Sequence, residues 1–417
     1  MNRDWKQMKL IDIIQKTETI NPQKTPNASF EYIDISSICN KRFVIQETST
    51  IFGKDAPSRA RKLVRTGDVL FATVRPTLKR IAQVPKHLDC QVCSTGYFVF
   101  RPKDFVEAKF LFYFLFTEHF MGAMEHLQKG ASYPAVNDGE VSSQNILIPS
   151  LSEQKRIVAI VDQAFEGIDR AIANTKNNLT NARELFESYL NAIFIQKGDG
   201  WMEKKVDEIG GEVFTGPFGS LLHKADYISN GIPIVNPANI EDDEIIPNLN
   251  KTVSQDVIVR LQAYVLSQNN IVIGRRGEIG RCAVVRKEQA GWLCGSGSFF
   301  IKTFENVNSV FLTHLFRSAQ YRSRLEALSA GATMQNLSNQ ALSGLLIAMP
   351  PLDEQNEITD RLDALKVEAQ RLEAIYQQKL AALNELKQSI LQKAFTGELT
   401  ADIANQTTKK AEEAIAA

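Results

Sequence analysis

The chain has 417 residues, 44% of them hydrophobic, with 48 basic and 48 acidic side chains. That length supports two buried cores, while the balanced charge argues against a polybasic coat for nucleic acid or membrane. The longest aromatic-apolar run, residues 110–116, is too short to cross a bilayer, the N-terminus carries no apolar leader, and five cysteines, an odd number, fit reduced cytoplasmic thiols better than a disulfide framework.

In chain order, residues 1–148 alternate strand-like and helical stretches and read as a mixed α/β domain. Strands are expected at 30–35, where apolar and polar residues alternate, at 69–74 after the Gly67-Asp68 turn, and at 97–100 before Arg101-Pro102. A buried helix is expected over 106–127, carrying His119 and His126 and ending at Gly130.

Residues 149–154, Pro-Ser-Leu-Ser-Glu-Gln, then open a long Pro-free run that closes on Phe194. Ser152 is placed to cap free backbone N–H groups, and the acidic residue suits the positive end of a helix. Phe165, Ile168, Ile172, Leu179 and Phe186 recur at steps of three, four and then seven residues, which is the seam of a coiled coil. Thr175 and Asn178 interrupt it and read as polar positions that set register. At about 1.5 Å per residue the helix is a rod of roughly 65–70 Å.

The second half repeats the first at an offset of 201 residues. Arg276, Arg281, Cys294, Gly297, Phe299, Phe311 and the pair Gly331-Ala332 answer to Arg75, Arg80, Cys93, Gly96, Phe98, Phe110 and Gly130-Ala131. Pro-Pro-Leu-Asp-Glu-Gln at 350–355 opens a second helix ending at Phe395, with Asp353 as its cap and a seam of Leu362, Leu365, Leu372, Tyr376, Leu383 and Leu386. Two equal halves of a duplication pair about a two-fold axis, so the helices run antiparallel and a head precedes each rod. The expected segments are a first domain at 1–148, a first helix at 149–197, a second domain at 198–349, a second helix at 350–400 and a mobile tail at 401–417. The helix faces outside the seam, with Phe194 and Leu391, are expected to await partner helices.

Catalytic equipment is missing. The sequence contains no Gly-Lys-Ser/Thr loop, no Gly-x-Gly-x-x-Gly, no His-Glu-x-x-His and no Asn/Asp-Pro-Pro-aromatic tetrad. Cys90-x-x-Cys93 lacks the second pair that a zinc site needs, so no metal is expected. These absences argue against an autonomous enzyme. The heads instead carry arginine at strand ends: Arg75, Lys79 and Arg80 after the 69–74 strand, and Arg275, Arg276 and Arg281 after 271–273. Such groups fork onto guanine or phosphate, and nearby glycine lets the backbone approach a duplex. Gly219, Ser220 and Lys224, in the loop 215–224, and the cluster Arg59-Arg61-Lys62-Arg65 add backbone donors and charge. Recurrence of the arginines in both heads fits DNA contacts and equally fits a structural pairing inherited by duplication.

The Pro-x-Leu-x-Glu-Gln opening, present twice and each time followed by a heptad helix, together with Ala-Phe-Thr-Gly-Glu-Leu at 394–399, resembles the specificity subunit of Type I restriction-modification systems. Thr-Gly-Pro-Phe-Gly-Ser at 215–220 looks like a loop common in its recognition domains. The resemblance implies two α/β (mixed α+β) target-recognition domains separated by a long antiparallel two-helix coiled coil, related by pseudo-two-fold symmetry. It implies double-stranded DNA as ligand and, as partners, two methyltransferase subunits and a restriction/translocase subunit. S-adenosylmethionine, ATP and Mg belong to those partners, none to this chain. The alternative is a coiled-coil scaffold or regulator whose heads bind protein, and salt-dependent binding of random duplex separates the two.

Overall fold

The computed structural model describes residues 5–210, 212–277, 279–329 and 336–401, without the side chains of Gly210 and Ser220. Two compact units form: residues up to Thr175 together with those from Gln378 onward, and Lys176–Gln377. Each unit therefore takes one head, half of the first long helix and half of the second.

In the first unit one antiparallel sheet runs in the order Ile14–Gln15, Tyr97–Pro102, Val69–Ala72, Ile81–Gln83. Val69–Ala72 is buried at every position, as its continuous apolar run requires. A second sheet, Ser49–Phe52, Ser29–Ile33, Val92–Ser94, Ala60–Leu63, contains one parallel pair at its centre. Lys6–Lys9 pairs with Asn145–Ile148 as a ribbon leading to the long helix. The helix expected over 106–127 is two, Ala108–Phe114 and Glu118–Leu127. Thr117 makes the break, its hydroxyl accepting from Phe120 N–H (3.3 Å) and restarting the helix. His119 and His126 lie on the exposed side of the second piece and not in the core.

The second unit repeats the first sheet strand for strand, as Val213–Thr215, Ser298–Ile301, Ile271–Gly274, Cys282–Val284, and the ribbon as Met202–Lys205 with Leu346–Met349. It departs in the other sheet, ordered Tyr227–Ile228, Thr252–Val253, Ile232–Val235, Leu293–Cys294, which keeps the parallel pair and changes an outer strand.

The two long helices are Leu151–Gln196 and Leu352–Thr396. In the first unit Lys387 meets Phe165 and Asp169, while Leu391 and Ala394, later in their helix, share a core with Ile157, Val158 and Val161, earlier in theirs. In the second unit Arg183 pairs with Glu373 (3.0 Å) while Leu190 and Phe194 pack with Ile358 and Leu362. The helices pair antiparallel in both. Ile168 and Leu362 are buried, and Phe165, Ile172, Leu179, Phe186, Leu365, Leu372, Tyr376 and Leu383 are half-buried. Leu386 is 47% exposed, because the 3-4 spacing from Leu383 falls on Lys387, whose aliphatic stem covers Phe165 while its ammonium reaches Asp169.

Three further expectations are corrected. Phe194 and Leu391 are 0% and 2% exposed, so no partner helix is needed to cover them. Phe194 lies against Phe311 (5.5 Å between centroids) and Phe395 against Phe110 (4.7 Å), contacts that match at the 201-residue offset. Each long helix thus begins on its own head and ends on the head of the other repeat. Thr175 is buried, but its hydroxyl donates to Ala171 O (2.7 Å) within its own helix, and Asn178 is exposed, so neither sets register through a bond across the pair. At the start of the first long helix the hydroxyl facing a free N–H is that of Ser150 toward Glu153 N (3.4 Å), two residues ahead of Ser152. Residues 402–417, read as a mobile tail, and Gly331-Ala332 lie outside the described residues.

Candidate nucleic-acid interface

The strand Val69–Ala72 stops where Arg75 enters the left-handed region, at φ 51°, with its N–H donating to Pro134 O (2.6 Å). A turn over Pro76–Leu78 follows, and Lys79 is again left-handed at φ 52°. Two such non-glycine residues store strain within five positions, which the surrounding bonds must hold. The Arg75 side chain is exposed, stacks over Tyr133 (4.7 Å) and donates to Ser132 O (3.2 Å). Tyr133 is itself 70% exposed. Lys79 is half-buried.

Arg80 points inward. Its guanidinium donates to Ile35 O (2.9 Å) and Ile38 O (3.0 Å), fastening the turn after Ser29–Ile33 to the other sheet. Arg281 does the corresponding work, donating to Pro237 O (3.5 Å) in the matching turn. Their recurrence in both heads therefore has a structural cause, whatever further contact they make.

In the second head Arg276 is exposed and bridges Asn336 through its backbone, as the equivalent loop does in the first. Arg275 is half-buried, over the Phe299 ring (5.2 Å) and bonded to Asn336 Oδ1 (3.1 Å). Burial, then the neighbouring Arg276 charge, holds its pKa below the ordinary arginine value. Gly219 takes φ 62° in an exposed turn, Lys224 is exposed a few residues on, and the side chain of Ser220 is outside the described set. Gly216 is required by space, since a Cβ there would meet Gly295 O at 2.0 Å. Two members of the cluster near residue 60 are tied within their head. Lys62 bonds Tyr97 O (2.7 Å) and Asp138 (2.8 Å), and Arg65 reaches Cys90 Sγ (2.7 Å).

The first head thus brings Arg75 to one exposed loop with Lys79 beside it, and the second does the same with Arg275 and Arg276. Gly219 and Lys224 come from a separate loop. Sequence reasoning passed over Tyr133, whose signal was an aromatic residue between the small residues of the 130–134 loop; Phe218, within the loop quoted at 215–220, is 61% exposed. Exposed aromatic and guanidinium groups side by side are the equipment of base stacking and groove contact.

The family model for the Type I restriction modification DNA specificity domain matches residues 2–181 and again 198–384. The StySPI specificity subunit of Salmonella potsdam is 26% identical over 329 residues, spanning 74% of this chain and 70% of its own length. A chain in a solved structure on complex assembly and conformational transition of the type I R-M system is 30% identical and superposes with a TM-score of 0.82 over 96% of this chain and 99% of that one. The HsdS subunit from Thermoanaerobacter tengcongensis is 28% identical, with a TM-score of 0.68 over 96% and 98%. Two matching domains in tandem, on a helix pair of the same architecture, account for the whole repeat. The chain belongs to the Type I restriction-modification DNA specificity subunits, the DNA-binding, non-catalytic members of their multi-subunit systems.

Proposed function

We propose that the heads, 1–148 and 198–349, each read one half of a bipartite, asymmetric DNA target, and that the helices 149–197 and 350–400 hold the two readings at a fixed separation. The observation that carries this is the pair Arg75 and Arg276, exposed at the same strand end in both heads. Two different half-sites follow from the loops and outer strands in which the heads differ. The helix pair also docks two methyltransferase subunits: Leu185 and Leu386, identical at the repeat offset, are 48% and 47% exposed and offer the same apolar foothold twice. A restriction/translocase subunit joins this assembly in the cytoplasm.

The test is to express the chain with its methyltransferase subunits in a host lacking other adenine methylation and to sequence the methylated bases. The expected result is one motif of two short half-sites divided by a constant gap. An ungapped motif, or no methylation by a folded complex, overturns the reading.

A further inference from the structure

The glutamine that closes both repeated hexapeptides is buried at a junction, and two of its bonds recur in both units. Gln154 is 0% exposed, and its Oε1 accepts from Glu107 N–H (2.8 Å) while Nε2 donates to Phe105 O (2.9 Å) and Pro149 O (2.9 Å). Gln355 is 3% exposed, with Oε1 accepting from Asn308 N–H (2.9 Å) and Nε2 donating to Pro350 O (2.9 Å). Glu107 and Asn308 are the N-caps of the head helices Ala108–Phe114 and Ser309–Arg317. One amide therefore joins the first turn of a long helix, the residue that leads into it, and the first turn of the head helix packed beside it.

We propose that Gln154 and Gln355 are positioning residues that fix the angle at which each head leaves its long helix, and through that angle the gap between the two half-sites. The proposal rests on the two-head reading of DNA given above. The apolar contacts between head and helix, Phe110 and Val158 among them, favour docking but are non-directional and tolerate a slide. A buried amide has directional donors and acceptors, and a rotated head breaks them with no water to replace them. A second tie lies about two turns further along each helix at matching positions: Asp162 bonds Tyr113, and Asp363 lies 3.3 Å from His314. These pairs change chemistry between the repeats whereas the glutamine pair does not. A swing of about 10° acting over a head radius of roughly 20 Å displaces the reading loop by about one base-pair step.

The test compares the wild-type complex with Gln154→Met and Gln355→Met, each expressed with the methyltransferase subunits, by sequencing methylated adenines across a library of gap lengths. Methionine keeps the volume of the side chain and removes both donor and acceptor. The expected result is unchanged half-site sequences with discrimination against gaps one base pair longer or shorter falling about tenfold, the equivalent of one buried hydrogen bond. Val99→Ala, a deletion in the head core away from the junction, supplies a variant destabilised without touching the latch, and it should keep the wild-type gap. Gln154→Glu keeps the acceptor toward Glu107 N–H but turns an oxygen on Phe105 O and Pro149 O, so it should lose at least as much discrimination as methionine. A wild-type gap distribution in both methionine variants overturns the proposal and leaves the two-head reading standing. Broadening by Val99→Ala to the same degree also overturns it, since general loosening would then explain the effect. A wild-type complex that methylates no gapped motif overturns the two-head reading and this proposal with it.

Discussion

Arg75 and Arg80 stand on one loop and face opposite ways, so their substitution separates an outward-facing group from an internal fastening. Arg75→Ala and Arg276→Ala are each expected to weaken one half-site by about 1–3 kcal/mol if the contact is a bidentate base contact, the other half-site being unaffected. A phosphate contact would instead weaken all sequences and lower the salt slope by about one. Affinity measured against both half-sites at several salt concentrations distinguishes them, and values that ignore both substitutions would assign the arginines to the loop alone. The cysteines give a second residue-scale expectation. Burial pushes the Cys93 and Cys282 thiols up to about 12 and the Cys294 thiol up as well, whereas half-buried Cys39 is lowered by backbone N–H groups of Lys41 and Arg42. A thiol raised on folding favours the folded state fully below its unfolded pKa near 9, and that contribution is lost as pH rises toward 12. Alkylation near pH 8 followed by peptide mass mapping should therefore label Cys39 first, exposed Cys90 more slowly because Asp89 raises it, and the other three only on unfolding.

At the scale of elements, the same join is made with different chemistry in the two units. A hairpin turn packs on the end of the first head helix through Phe43 against Phe116 (4.6 Å, edge-on) in one unit. In the other, Asp243 takes the turn position, again left-handed, and binds Arg317 (2.9 Å) and Lys366 (2.5 Å) of the long helix. Arg317 is the repeat counterpart of Phe116. Phe43→Ala should cost about 3 kcal/mol through the apolar contact and be insensitive to salt. Asp243→Ala leaves two cations facing each other, costs about 1–3 kcal/mol, and its cost should shrink as salt rises, because these side chains retain some exposure. Thermal melts in low and high salt check both, and equal salt dependence would show that the ion pairs do not hold the turn. The repeated hexapeptide was legible as a helix start from its proline and acidic residues. That its glutamine latches to a residue 47 positions earlier was not, since no local pattern encodes a partner so distant.

For the whole molecule, and on the two-head reading, the packing of Phe194 on Phe311 decides where the helix pair could be lengthened. Residues inserted at 195–198 would follow the last contact of the first long helix with the second head, and would make a loop without moving that head. A heptad added to both long helices, after Thr175 and after Gln377, where the compact units divide, keeps the seam in phase and adds about 10 Å. On the two-head reading the gap then grows by roughly three base pairs with both half-sites unchanged. Methylome sequencing of the paired insertion checks this, and an unchanged gap in an active complex would mean that the helices do not measure distance.

The sequence alone determined the duplication, the long helices and the seam, because periodicity and repeat offset are properties of neighbours along the chain. It also carried the motifs that resemble the family. Tertiary structure alone decided which head covers Phe194 and Phe395, that Leu386 yields its seam place to Lys387, and that Arg80 turns inward while Arg75 stays out. Each of these depends on a surface brought up from tens or hundreds of residues away, and an arginine reads identically in sequence whether a carbonyl or water faces it.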